Sequence, residues 1–90
     1  MLNRLPALTH LTLVNSGLSD GGLRAIIHWP GLRQLQWLDL SGTQITDQSV
    51  LDLVDSPHFL AHTHLNLRNT PTNERVQQAL KIRFGDRILV

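Results

Sequence analysis

Histidine, tryptophan and polar side chains recur at a fixed interval of 27 residues, and they include the groups best suited to contact a partner. One such set is formed by His10, Trp37 and His64. Tryptophan is enriched among the residues that dominate binding energy at protein interfaces. The full set that we predict to bind a protein partner is His10, Thr12, Trp37, Asp39, His64, Asn66 and Arg68. Two plainer interpretations stay open: Trp37 could simply cover its own sheet, and Asp39 and Arg68 could be ordinary solvated residues.

The histidines also raise the question of a metal site. His58, His62 and His64 are close in sequence, but no Asp, Glu or Cys lies among them. A zinc site needs three or four ligands. We further expect His62 to point at least partly inward, because leucines occupy the matching positions 27 and 54 residues earlier. We therefore predict no bound metal.

Catalytic signatures are missing from the sequence. It contains no cysteine, no G-x-S-x-G nucleophile motif and no G-x-x-x-x-G-K-[ST] phosphate-binding motif. Spacing alone also supports no set of Ser, His and acidic residues that could act as a catalytic triad. We therefore predict that the protein is not an enzyme and that it needs no cofactor.

Charge and hydropathy argue against two further classes of partner. A formal net charge of +1 gives no global attraction to nucleic acid or to an anionic membrane. Basic residues concentrate in 68–90, but two Phe and two Trp are too few to support base stacking. No apolar run reaches the roughly 18 residues that span a bilayer, and the first residues lack a secretory pattern. We predict a cytoplasmic protein that binds neither nucleic acid nor membrane.

The elements that carry these residues repeat every 27 positions without insertions or deletions. Four sets of positions align between the units: Leu5, Leu32 and Phe59; Leu8, Leu35 and His62; Leu11, Leu38 and Leu65; Leu13, Leu40 and Leu67. Leucines two apart point to the same face of a strand. Farther along each unit, apolar residues change to helical spacing, as at Leu23, Ile26 and Ile27. Each unit is therefore predicted to be one strand, one turn and one helix.

Polar residues mark the turns between these elements. The pairs Ser19-Asp20, Thr46-Asp47 and Thr72-Asn73 each precede a helical run, where free backbone N–H groups need an acceptor. One further set of hydroxyl residues stands at the turn that follows each strand: Ser16, Thr43 and Thr70. We expect their hydroxyls to bond to backbone groups exposed at that turn.

The pattern L-x-x-L-x-L-x-x-[ST]-x-[LI], which begins at Leu8 and again at Leu35, resembles the leucine-rich repeat. The resemblance implies an α/β fold, a short right-handed β-α solenoid with a parallel sheet inside and helices outside. The single domain would cover 1–90, with three 27-residue units at about 5–31, 32–58 and 59–85. The Ser56-Pro57 pair and the R-F-G-D-R sequence at 83–87 are similar to bacterial leucine-rich-repeat proteins prominent in planctomycetes.

The two ends of this array are predicted to differ. Residues 73–90 contain a polar helix followed by Gly85, which suits a helix end, and Lys81 and Arg83 lie where the helix dipole favours cations. We predict a C-terminal cap there. Leu2 and Leu5 lead directly into Leu8 and Leu11, with no capping helix or polar strand between them, so we expect an uncapped N-terminal end. A truncated reading, an end that pairs with another copy or a partner, and a tolerated open end all remain as explanations.

These features favour a noncatalytic protein–protein interaction module of the leucine-rich-repeat type. The alternative is a structural fragment or C-terminal cap of a longer solenoid, with no binding role of its own. Recognition of substrates in a ubiquitin-ligase-like effector is a weaker third interpretation, since the sequence contains no adaptor-binding motif. The expected partner is a protein of unknown identity, and self-association through the open N-terminal end is a second form of contact.

Overall fold

The computed structural model describes residues 8–60 and 62–90. Within them, four short strands and three helices form an α/β domain. The strands are β1 (His10–Thr12), β2 (Trp37–Asp39), β3 (His64–Asn66) and β4 (Ile88–Leu89), the helices are α1 (Asp20–Ile27), α2 (Asp47–Val54) and α3 (Glu74–Phe84), and 3₁₀ turns cover Pro30–Gln34 and Gly85–Arg87. None of the helices in these ranges is long and apolar enough to cross a membrane.

The four strands form one parallel sheet in the order β1-β2-β3-β4. Leu11 lies opposite Leu38, and Leu38 lies opposite Leu65, so residues 27 positions apart in the sequence stand side by side. Each connection between strands passes through a helix, because parallel strands need a long crossover. The predicted parallel sheet and its register are confirmed.

The inward side chains of the strands and the helices share one core. Leu38 and Leu65 are fully buried, and they belong to the same cluster as Leu23 of α1 and Leu53 of α2. Leu11 is only partly buried, because β1 is the first strand of the sheet in the described part of the chain. Burial of apolar surface at about 25 cal/mol per Å² makes this cluster the main source of stability. The predicted uncapped end, at 1–7, lies outside the described residues.

All three helices begin where the polar residues of the sequence predict. Their N-cap residues are Ser19, Thr46 and Asn73. The Asn73 side chain accepts a hydrogen bond from the Val76 backbone N–H at 2.9 Å, which caps α3 in the ordinary way. Within the described chain, Ser19 and Thr46 make no such bond to their own helices. The side chains of Ser19 and Thr46 therefore do not cap α1 and α2.

Carboxylates at the start of α1 and of α2 bond to the start of the next helix. Asp20 of α1 accepts from the Thr46 backbone N–H at 2.8 Å, from the Thr46 hydroxyl at 2.7 Å and from the Ser49 hydroxyl. Asp47 of α2 repeats the arrangement, accepting from the Asn73 backbone N–H at 2.8 Å and from its amide Nδ2 at 2.7 Å. These carboxylates connect successive β-α units along one side of the domain.

The hydroxyl residues that follow the strands bond to the backbone of their own unit. Thr43 donates to the Leu40 carbonyl at 2.7 Å, and Thr70 donates to the Leu67 carbonyl at 2.8 Å. Ser16 differs, since its hydroxyl accepts a long bond of 3.4 Å from the backbone N–H two residues later. The expected bonds to the backbone therefore exist, and they hold the turn after β2 and the turn after β3.

The R-F-G-D-R segment fastens the last helix to the rest of the domain. Arg83 pairs with Asp55 across 3.0 Å, and Phe84 meets Phe59 edge to face with 5.6 Å between ring centroids. Gly85 ends α3 with φ at +68°, a backbone conformation that residues with a Cβ atom adopt only with strain. The segment thus turns the chain back toward the sheet.

The residues beyond that turn form β4, which the sequence did not predict. Ile88 lies opposite Leu65 of β3, so the sheet continues for one more strand. Arg87 donates to the Thr63 carbonyl at 3.1 Å and fixes the approach of this strand. Lys81 of α3 donates to the Ile88 carbonyl at 3.2 Å, on the edge that faces away from β3. A cation at this edge opposes pairing with a further strand.

Candidate partner-binding face

The outward residues of the first three strands form a surface that we name the strand face. Its members are His10, Thr12, Trp37, Asp39, His64 and Asn66. Alternation along a strand puts them opposite the buried leucines, since successive side chains point to opposite sides of a sheet. The register aligns them in two rows across the sheet, first His10, Trp37 and His64, then Thr12, Asp39 and Asn66. The structure therefore brings together six of the seven residues predicted from the sequence.

Trp37 lies at the centre of the first row. Its indole stacks with the His64 imidazole, with ring centroids 6.2 Å apart and an angle of 27° between the planes. Trp37 is half-buried, whereas His10 and His64 on either side are exposed. An open groove of about 450 Å³, which we name the Trp37 groove, is lined by His10, Gln36, Trp37, His62 and His64. The indole is thus partly covered by His64 and partly accessible from the groove.

His62 belongs to this groove, contrary to the prediction that it points inward. Its side chain is exposed, and the following residue, Thr63, is fully buried in its place. The Thr63 hydroxyl donates to the Leu35 carbonyl at 2.9 Å, which satisfies its polar group inside the core. A polar imidazole gains more from water than from that apolar position. The residues 62 and 64 therefore project from the same side of the chain.

In the second row, the side chains of Asp39 and Asn66 accept hydrogen bonds from backbone N–H groups two residues later. One carboxylate oxygen of Asp39 accepts from the Ser41 backbone N–H at 3.0 Å and from the Ser41 hydroxyl at 2.7 Å. The Asn66 side-chain oxygen accepts from the Arg68 backbone N–H at 3.1 Å. Both side chains therefore close the turn that follows their strand, in the manner of Asx turns. Their remaining polar atoms stay available to a partner, but their position is fixed by the fold.

Arg68 stands just beyond this row, after the end of β3. It is exposed, and no carboxylate in the described part of the chain forms an ion pair with its guanidinium. A guanidinium presents donors in a fixed fork that matches a carboxylate. Arg68 therefore supplies a cationic group next to the strand face.

Two groove residues, Gln36 and His62, were not among the predicted site residues. The signal that could have found His62 is its separation from His64, because positions two apart on an extended chain share a face. Gln36 immediately precedes Trp37, and its carbonyl accepts the His64 backbone N–H at 2.9 Å. Gln36 lies just before β2, and no spacing in the sequence marks it as a groove residue in the way that the His62–His64 spacing marks His62.

A second groove of about 410 Å³ lies between α1 and α2 on another part of the surface. Its lining mixes charges, and its carboxylates already have partners within the chain. Asp20 bonds to Thr46 and Ser49, and Asp52 accepts from the Gln48 side chain at 3.0 Å. The hydrogen bonds from Ser49 and Thr46 hold the pKa of the Asp20 carboxyl below its ordinary value of 3.8. We regard this groove as part of the contact between helices.

The described side chains contain no group of three His, Asp or Glu residues arranged to hold a metal ion. The absence of a metal remains a prediction for the whole chain, as does the absence of enzymatic activity. The strand face, with an aromatic residue, imidazoles and a nearby cation, is suited to recognition of another molecule by contact. No protein-family model matches the chain, and no curated protein matches it.

Proposed function

We propose that the chain is a segment of a leucine-rich-repeat solenoid that acts as a noncatalytic protein-interaction module through its strand face. The observation that carries this proposal is the register that places His10, Trp37 and His64 side by side on adjacent strands. A surface built in this way has a shape set by the sheet, while its side chains vary from unit to unit. The proposal is supported by analogy with repeat proteins, which bind partners through an extended concave surface.

The rigidity of the face follows from the packing beneath it. Neighbouring strands of a sheet lie about 4.8 Å apart, so the three residues of the first row, His10, Trp37 and His64, span roughly 10 Å across the sheet. Leu38 and Leu65, directly behind the row, are fully buried. Side chains held on such a frame lose little conformational entropy when a partner binds. The proposed mechanism is therefore display of preorganised groups, with Trp37 as the anchor.

A peptide-selection experiment tests the proposal and does not depend on which protein the partner is. Peptides selected from a displayed library on the immobilised wild-type chain would be measured against single variants by biolayer interferometry. We expect Trp37→Ala to weaken the selected peptides by about tenfold or more, because a central aromatic anchor contributes on the order of 2 kcal/mol. Its folding would be checked by circular dichroism and thermal unfolding.

The matched control is Leu51→Ala, which removes an exposed apolar side chain from α2, outside the strand face. It should leave the selected peptides at wild-type affinity. If peptides are selected repeatedly but respond to Leu51→Ala and not to Trp37→Ala, the chain binds through its helices and the proposal is wrong.

A second role is favoured by the difference between the two outer strands. Leu11 in β1 and Leu13 just after it are only partly buried, whereas Lys81 donates a hydrogen bond to the outer edge of β4. This asymmetry fits a segment that closes one end of a longer solenoid and receives a neighbour at β1. Sedimentation velocity tests whether the neighbour is a second copy, since a monomer over a wide concentration range contradicts self-association.

A further inference from the structure

Three of the five histidines of the chain line the Trp37 groove. They come from different parts of the fold: His10 from β1, His62 from the segment before β3, and His64 from β3 itself. His10 and His62 are exposed, and His64 is exposed apart from its stacking on Trp37. An imidazole can act as a neutral donor and acceptor or as a cation with two N–H donors, so three of them in one groove are suited to anionic groups.

Three charged residues on the neighbouring strands and turns bear on the charge of the groove. Among the described residues, Asp39 on β2 is the acidic neighbour, and one of its oxygens is bonded to Ser41. Arg68 follows β3, and Arg87 precedes β4 with its guanidinium on the Thr63 carbonyl. The groove itself is lined by three imidazoles and holds no carboxylate among the described residues, while Arg68 lies beyond it, past the end of β3.

We propose that the Trp37 groove recognises carboxylate-rich segments of a protein partner and binds them more tightly as its histidines become protonated. This inference rests on the proposed role of the strand face as an interaction surface. A neutral imidazole offers one N–H donor, and an imidazolium offers two together with a positive charge. Carboxylates accept such bonds and form charge-assisted pairs with Arg68 as well. The indole of Trp37 would pack against the aliphatic stems of the same acidic side chains.

The structure favours an acidic peptide over a nucleic acid. Single strands of nucleic acid bind where successive bases stack on several aromatic side chains. In the described residues, Trp37 is the aromatic member of this groove, while Trp29 and Phe59 are buried in the core.

The test uses fluorescein-labelled poly-L-glutamate of about 20 residues as the probe, followed by fluorescence anisotropy at pH 6.0 and pH 8.0. We expect binding to be about fivefold tighter at pH 6.0, because several exposed charge pairs that are each weak act together. The double variant His62→Gln/His64→Gln keeps polar side chains that cannot be protonated, so it should lose most of this difference. Arg68→Gln should weaken the probe at both pH values.

The matched control is His28→Gln, which removes an exposed histidine at the end of α1, away from the groove. It should keep the wild-type pH dependence. Failure to bind poly-L-glutamate at either pH, an equal response in His28→Gln, or tighter binding of a single-stranded oligonucleotide would overturn the inference. Selected peptides that depend on Trp37 but lack acidic residues would overturn it too, while leaving the interaction role itself in place.

Discussion

The Asp20 carboxylate joins the start of α1 to the start of α2, and its replacement by alanine is expected to destabilise the domain. Three donors converge on it: the Thr46 backbone N–H, the Thr46 hydroxyl and the Ser49 hydroxyl. Each net hydrogen bond contributes about 0.5–1.5 kcal/mol, and partial exposure places these at the lower end of that range. We therefore expect Asp20→Ala to lower the free energy of unfolding by roughly 2 kcal/mol.

The loss is measurable by urea denaturation and by thermal unfolding. For a domain of this size, roughly 2 kcal/mol corresponds to a fall of about 10 °C in Tm. Part of the effect comes from the helix dipole of α1, which favours an acidic residue in the first turn. A double-mutant cycle with Ser49→Ala separates the hydrogen bond to Ser49 from the effect of the helix dipole, since only the contact with Ser49 appears in the coupling energy. That coupling should be on the order of 1 kcal/mol.

The same variant predicts a pH dependence with a definite sign. The folded pKa of Asp20 lies below its ordinary value of 3.8, so the carboxylate stabilises the fold above that pH. This stabilisation is lost as pH falls through the folded pKa, because the carboxyl is then protonated in both states. Wild type and Asp20→Ala should therefore differ at pH 6 and converge in strong acid. A difference that is constant with pH, or a coupling energy of zero with Ser49→Ala, refutes the assigned contact.

Three further predictions concern the core and the end of the sheet. Leu65→Ala should lower the free energy of unfolding in urea by about 2–5 kcal/mol, because the Leu65 side chain is fully buried. Leu11→Ala should lower it clearly less, because Leu11 is only partly buried, and equal losses would contradict the assigned core. Gly85→Ala should lower the stability by about 1 kcal/mol, since φ at this position is +68°; an unchanged Tm would contradict this geometry. Lys81→Met should promote self-association in sedimentation experiments, because it uncovers the Ile88 carbonyl at the edge of the sheet; a strictly monomeric variant would show that Lys81 does not guard it.

The parallel sheet was predictable because its determinants repeat within each unit. Leucines two apart on a strand, as at Leu38 and Leu40, point to the same face, so the inward face can be predicted from the sequence of the strand itself. The interval of 27 residues then supplies the register between strands. The same logic placed Trp37 between His10 and His64 on one face.

The contacts that the sequence did not reveal depend on one unit meeting the next. Asp20 reaches Thr46 across 26 positions, and nothing in its local sequence distinguishes it from an ordinary first-turn acid. His62 is exposed because Thr63 is buried beside it and donates a hydrogen bond to the Leu35 carbonyl, which is also a contact between units. The strand at Ile88 is two residues long, too short to show any alternation.

The two tryptophans allow a test of whether the strand face is the binding surface. Trp37 lies on that face, whereas Trp29 is buried in the core with 8% of its surface exposed. Their indole N–H signals can be followed separately in a ¹⁵N-labelled sample titrated with a selected peptide. We expect the Trp37 signal to shift with saturation while the Trp29 signal stays in place. A bound peptide that leaves the Trp37 signal unchanged and shifts signals of α1 and α2 would contradict it.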